Sequence, residues 1–106
     1  EEVRLKPEPA EIVRRLRLDG DWQAQAEDLI EQCHAEMLSF IDRPVFGSDG
    51  DAEASGDPAA IVSNEALING QILLIGAYLN GLGTNEAGRM RNTAYSVWRP
   101  YRRSGA

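Results

Sequence analysis

Apolar residues recur at steps of three and four along much of the chain, which is the spacing of an α-helix with one buried face. The longest such pattern predicts a helix over about residues 21–41. Its apolar positions are Trp22, Ala26, Leu29, Ile30, Cys33, Met37, Phe40 and Ile41. A shorter helix over about residues 9–17 precedes it, because Pro9 suits a first helical turn and apolar residues follow at helical spacing.

A third helix is predicted over about residues 58–80, with Asp57 as its cap. Its second half is apolar nearly all the way round, so we expect it to be buried on most sides, either in its own domain or in an oligomer. The core or oligomer positions are Leu67, Ile68, Ile72, Ile75, Tyr78 and Leu79. Gly70 and Gly76 each lower helix propensity by about 1 kcal/mol, and they predict the close approach of another backbone.

The remaining segments complete an all-α prediction. The sequence GSDGDAEASGD (residues 47–57) has no large apolar residue and predicts an acidic Gly/Ser-rich loop. After a loop over residues 82–88, a fourth helix over about residues 89–98 presents an apolar face that ends at Trp98, and an extended tail follows over residues 99–106. No segment predicts a strand. We therefore expect one domain over residues 1–106, a small bundle of about four helices.

The 106 residues contain one cysteine, Cys33, and one histidine, His34. This composition excludes zinc fingers and disulfide scaffolds and is typical of a reducing compartment. Cys33 is predicted to be a small buried hydrophobe and His34 a residue of the polar helix face. No nucleophilic, nucleotide-binding or signal-peptide motif is present, and the longest apolar stretch is far shorter than the roughly 20 residues that span a bilayer. We expect no enzyme, no cofactor and no membrane association.

The acids of the 47–57 segment superficially resemble a calcium loop. An EF-hand loop needs glycine at its sixth position and a bidentate glutamate at its twelfth. Counted from Asp49, these positions hold Ala54 and Ala60; counted from Asp51, the twelfth is Val62. The sequence therefore predicts no calcium site and no other metal site.

Charge divides the chain into two unlike parts. Residues 1–57 hold 15 acidic and 6 basic residues, whereas residues 58–106 hold 2 acidic and 5 basic residues, for a net charge of −6. Such an asymmetry suggests two ends that meet different partners. The sequence WRPYRR (residues 98–103) combines aromatic rings with guanidinium groups, which suits a protein hot spot or a nucleic-acid contact, with a frayed basic terminus as the plain alternative.

Four phrases in order resemble the small head–tail connector (adaptor) proteins of long-tailed bacteriophages. They are RRLRLD (residues 14–19) at the end of a short helix, DRPVF (residues 42–46) after a long amphipathic helix, INGQILLIGAYLN (residues 68–80) as an apolar helix, and VWRPYR (residues 97–102) near the end. The resemblance spans about residues 12–102. The chain departs from the family pattern at Gly81, where the family carries an arginine.

The resemblance implies a structural virion protein, made in the host cytoplasm and located in the neck at the head–tail interface. It would form a homo-oligomeric ring of about twelve subunits beneath the portal protein, with head-to-tail contacts between subunits. The ring would be part of the channel for genome ejection, and DNA would pass through without sequence-specific binding. A stopper or tail terminator would follow on the tail side.

Two sets of residues are candidates for these contacts. We expect the C-terminal set to dock onto the portal: Trp98, Arg99, Tyr101, Arg102 and Arg103. We expect the acidic set to face the lumen or the next tail component: Asp49, Asp51, Glu53 and Asp57. The alternatives are a small helical nucleic-acid-binding protein that uses the arginine-rich end, and a generic helical protein-interaction module.

Overall fold

The computed structural model describes residues 3–81 and 83–103. These residues contain five α-helices and one pair of two-residue strands. In chain order the elements are α1 (Pro9–Arg15), α2 (Gln23–Ile41), β1 (Val45–Phe46), α3 (Asp49–Ala54), β2 (Ile61–Val62), α4 (Glu65–Asn80) and α5 (Asn85–Trp98). The expected all-α bundle is therefore confirmed. Short 3₁₀ turns at Gly20–Trp22 and Arg99–Tyr101 precede α2 and follow α5.

Helix α4 lies at the centre and packs mainly against α5 and α2. Of its six predicted core positions, Leu67, Ile68, Ile72 and Ile75 are buried, whereas Tyr78 and Leu79 are half-buried. A helix that is apolar on all sides needs neighbours on all sides. Within this chain α2 and α5 supply most of them, and Leu73, Tyr78 and Leu79 stay half-buried.

The two glycines of α4 admit large side chains, not another backbone as expected. A Cβ atom on Gly70 would lie 2.1 Å from Nε1 of Trp98, whose indole N–H donates to the backbone oxygen of Leu67 at 3.2 Å. A Cβ atom on Gly76 would lie 2.2 Å from Cε of Met90. Glycine at these positions therefore lets α5 approach α4 closely.

The third helix begins at Glu65, so the prediction that it starts near residue 58 is wrong. Ile61 and Val62 instead pair in parallel with Val45 and Phe46, which makes the small sheet that the sequence did not predict. Asp57 does accept a backbone hydrogen bond, from Ala59 at 2.8 Å, but it closes a turn. The helix cap is Asn64, whose side chain accepts from the N–H of Leu67.

Two further boundaries differ from the sequence prediction. The 47–57 segment contains α3, which the side chain of Ser48 caps by accepting from the N–H of Asp51. Helix α5 begins at Asn85, four residues before the predicted start, because Thr84 caps it. In both cases a capping side chain begins a helix in a segment whose composition favours a loop. Leu82 of the predicted 82–88 loop and residues 104–106 of the predicted tail lie outside the described residues.

His34 is buried, so its predicted place on the polar helix face is wrong. Its ring nitrogen Nδ1 lies 3.2 Å from Oε1 of Gln71, a fully buried residue of α4. The amide of Gln71 donates to the backbone oxygen of Leu5 at 3.0 Å, and Lys6 pairs with Glu31. The N-terminal segment thus lies along α2 and covers the face that the sequence pattern leaves to water.

Candidate protein-interaction surface

The chain after α5 is held against the end of α2. The N–H of Arg103 donates to the backbone oxygen of Ile41, the last residue of α2, at 2.9 Å. Pro100 lies in the 3₁₀ turn, where its missing N–H is not needed, and Tyr101 is half-buried. The predicted extended tail is therefore, as far as Arg103, an anchored segment.

Three aromatic rings form the base of this end of the molecule. The ring centroid of Phe40 lies 4.8 Å from that of Tyr95 and 6.3 Å from that of Trp98, and the Tyr95 and Trp98 centroids are 5.7 Å apart. These separations lie within the range at which aromatic pairs attract. The cluster gives the C-terminal segment a rigid support.

Two arginines of the segment are oriented by contacts with α2 and its exit. The guanidinium of Arg102 lies over the ring of Phe40, 5.3 Å from its centroid. Nε of Arg103 donates to the backbone oxygen of Asp42 at 2.9 Å and lies 3.6 Å from its carboxylate. Arg99, Arg102 and Arg103 are all exposed. The structure therefore brings three of the five predicted contact residues to the surface together.

The other two predicted contact residues are Tyr101, which is half-buried, and Trp98, which departs furthest from the predicted role. The side chain of Trp98 is fully buried beneath Gly70, so it has no surface to offer a partner. The prediction that Trp98 lies on the apolar face of the fourth helix is confirmed. Trp98 supports the surface from below.

Arg43 is a residue of this surface that the sequence reasoning missed. It lies two residues after the end of α2, and its Nε donates to the backbone oxygen of Ala59 at 2.7 Å. It lines a cleft of about 400 Å³ together with Arg102 and Arg103. Nothing local in the sequence places Arg43 beside residues 102–103; only the joining of the C-terminal ends of α2 and α5 does. We call Arg43, Arg99, Arg102 and Arg103 the arginine surface.

The acidic candidates lie on and after α3. All four are exposed, and among the described residues none of them lies within ion-pair distance of a basic side chain. Asp49, Glu53 and Asp57 line one shallow cleft beside β2, whereas Asp51 is not part of it. Asp49 and Asp51 occupy the first turn of α3, where the helix dipole favours negative charge.

A second polar cluster, also not predicted, joins α2, α4 and α5. The carboxylate of Glu36 accepts hydrogen bonds from the hydroxyls of Tyr78 and Tyr95, the second at 2.8 Å, and Arg91 lies 3.6 Å away. The hydrogen bond to Glu36 raises the pKa of Tyr78, and burial raises the pKa of Tyr95. Both hydroxyls therefore stay protonated as donors, and the cluster ties three helices together.

Cys33 is fully buried, as predicted, and burial raises the pKa of its thiol to about 12. Since the thiolate is the reactive form, this thiol is chemically quiet at neutral pH. Among residues 3–81 and 83–103, no group of three or more His, Cys, Asp and Glu side chains is arranged to hold a metal ion. In the same part of the chain no helix has the length and apolar character to cross a membrane.

Large apolar side chains are scarce on the surface of the described residues. Only Val3 and Trp22 are exposed, at 42% and 37% of their surface. Trp22 borders a groove of about 310 Å³ that Leu16, Leu79 and Met90 also line. The arginine surface is therefore charged, and the rest of the described surface offers few large apolar side chains for contact with a partner.

Comparison with protein families, with curated proteins and with solved structures found no match to this chain.

Proposed function

We propose that this chain is a structural subunit of a phage neck, and that about twelve copies form a ring between the portal and the tail. The observation that carries the proposal is the anchored arginine surface, a preformed basic face that suits an acidic docking surface on a protein partner. The ordered phrases at residues 14–19, 42–46, 68–80 and 97–102 supply the class of partner.

The scarcity of exposed apolar residues bears on how such a ring forms. Stable oligomer interfaces have an apolar core, and the described surface offers only Val3 and Trp22 as large apolar side chains. Contacts between neighbouring subunits are then weak in isolation. We propose that the portal gathers the subunits and that the protein is monomeric before it docks.

Electron microscopy of portal-bearing heads mixed with the purified protein tests the proposal. We expect a ring of added density under the portal for the wild-type chain and its loss for the double variant Arg99→Glu/Arg102→Glu. Truncation after Val97 is not a suitable test, because it removes Trp98 from the core.

The matched control is Arg14→Glu/Arg89→Glu, which changes the net charge equally at exposed positions on α1 and near the start of α5. It should still decorate the heads. Heads that stay bare with the wild-type chain would contradict the proposal.

A nucleic-acid-binding function is the second candidate, since the same arginines could contact phosphates. Such binding would weaken by about 0.9 log units per log unit of salt for each phosphate neutralised. Tight binding of free DNA at physiological salt, together with bare heads, would favour this candidate.

A further inference from the structure

We propose that the cleft between Arg43 and the C-terminal arginines is a binding site for a short, extended acidic peptide segment of a partner protein. The proposal rests on the proposed function for the identity of the partner, the portal protein. It deepens that function by adding Arg43 to the site and by stating what the site binds.

The geometry of the arginine side chains carries the first step. Nε of Arg43 is engaged by the oxygen of Ala59, and Nε of Arg103 is engaged by the oxygen of Asp42. An Nε donor held inside the protein fixes the plane of the guanidinium and leaves its terminal nitrogens for a ligand. Two preoriented guanidiniums therefore line one cleft, where bidentate pairing with carboxylates costs little ordering entropy.

The shape of the cleft favours a peptide. Its lining consists of three arginines and three apolar residues: Arg43, Pro58, Ala59, Pro100, Arg102 and Arg103. Arg43 and Arg103 also line a second cleft of about 290 Å³, together with Leu38, Asp42 and Pro44. The two clefts share these arginines and therefore lie side by side, with apolar walls and basic groups in both and Asp42 in the lining of the second. An extended chain with alternating apolar and acidic side chains matches such a pair of clefts.

The charges around the cleft disfavour nucleic acid. The carboxylate of Asp42 lies 3.6 Å from Arg103 on one side, and the exposed Asp57 precedes Pro58 on the other. Duplex DNA carries about one negative charge per 1.7 Å of its axis, so a nucleic acid that crosses the cleft also meets these carboxylates. A short peptide can place its acids on the arginines alone.

Fluorescence anisotropy with a labelled peptide of about six residues, in which glutamate alternates with leucine, tests the site. We expect the Arg43→Ala variant to bind the peptide about tenfold more weakly than the wild-type chain, because a charge-assisted bidentate pair is lost. The charge-matched control, Arg89→Ala on an exposed part of α5, should bind as the wild-type chain does. Equal loss in the two variants would overturn the proposal, since only net charge would then matter.

Arg43→Lys keeps the charge but lacks the planar fork and the Nε donor. We expect it to lose most of the peptide affinity with an unchanged far-ultraviolet circular dichroism spectrum, which separates loss of the site from loss of the fold. Full affinity in this variant would overturn the assignment of a geometric site. Tighter binding of a labelled single-stranded oligonucleotide of equal charge would overturn it in favour of nucleic acid.

The outcomes separate the site from the proposed function, because the peptide assay needs no portal. Peptide binding that depends on Arg43, combined with undecorated heads, would support the cleft and contradict the connector. Decoration of heads that is indifferent to Arg43→Ala would support the connector and overturn the cleft.

Discussion

Residue by residue, the buried polar side chains of the described residues have hydrogen-bond partners within the protein, except for the hydroxyl of Ser63. Gln71 is fully buried, and its amide nitrogen reaches the backbone oxygen of Leu5 while its amide oxygen faces His34. A buried amide without partners would destabilise the fold by about 1–3 kcal/mol. The N-terminal segment is therefore part of the folded core, and His34 is one of the groups that hold it.

The pH dependence of stability follows from the burial of His34. Burial lowers the pKa of the imidazole below 6.5, the hydrogen bond to Gln71 and the charge of Glu31 oppose this shift, and Lys6 reinforces it. The stabilising effect of the neutral ring is complete above a pH of about 6.5 and is lost as pH falls towards the lower folded-state pKa. We expect the free energy of unfolding to decrease over that interval.

Nuclear magnetic resonance of the single imidazole gives the folded-state pKa directly, and urea unfolding at a series of pH values gives the slope. The variant His34→Gln should remove the slope between about pH 6.5 and the folded-state pKa. It should keep the loss of stability at lower pH, where Glu11 titrates, because the hydrogen bond from Arg4 lowers the pKa of that carboxyl. An imidazole pKa at or above 6.5 would contradict the prediction.

Among the elements, the contact of α4 with α5 determines stability most directly. A Cβ atom at Gly70 would lie within 2.1–2.8 Å of three atoms of the Trp98 ring, which is itself buried and cannot move aside. We expect Gly70→Ala to destabilise the fold by at least about 1–3 kcal/mol, the usual cost of overpacking. Urea unfolding monitored by circular dichroism measures it.

The matched control for Gly70→Ala lies in α5. A Cβ atom on Gly88 would have no neighbour within 4 Å, and the backbone there is helical. Gly88→Ala should therefore stabilise the protein by about 0.5–1 kcal/mol. A Gly70→Ala variant as stable as the Gly88→Ala variant would show that α4 and α5 are not so closely packed.

The sequence predicts the helices whose apolar residues recur with a regular period. The steps of three and four in α2 and the apolar run of α4 indicate two helices and the centre of the core. Hydrophobic periodicity cannot predict the strand pair, because a strand of two residues shows no period. Each residue of β1 also pairs with a residue of β2 that lies sixteen positions further along the chain. Arg43 was missed for the same reason: its neighbours are set by packing between distant segments.

At the scale of the whole molecule, the acids of α3 and the arginine surface line different clefts, which approach each other where Asp57 precedes Pro58. The acids of α3 line a cleft beside β2, and the arginine surface lies at the joined ends of α2 and α5. Because α3 has no buried residue, its charges can change without a change in the core. The acidic surface is therefore available for a contact other than the one proposed for the arginines.

Neutralising the acids as Asp49→Asn/Asp51→Asn/Glu53→Gln/Asp57→Asn tests a role in the neck. We expect an unfolding temperature within about 10 °C of the wild-type value, since the four surface changes are worth about 0.5 kcal/mol or less each. We also expect altered attachment of the next tail component or altered retention of DNA, seen by electron microscopy and by DNA release from heads. Unchanged assembly and unchanged DNA retention would mean that residues 47–57 only connect β1 to β2.

The deep burial of Trp98 also has a consequence for how the protein is made. The indole fills the space over Gly70, so the core cannot close until residue 98 has been added to the growing chain. Helices α1, α2 and α4 emerge from the ribosome earlier with their shared apolar face uncovered, which is the condition under which nascent chains recruit chaperones or aggregate. We therefore expect the complete core to form only after residue 98 has left the ribosome.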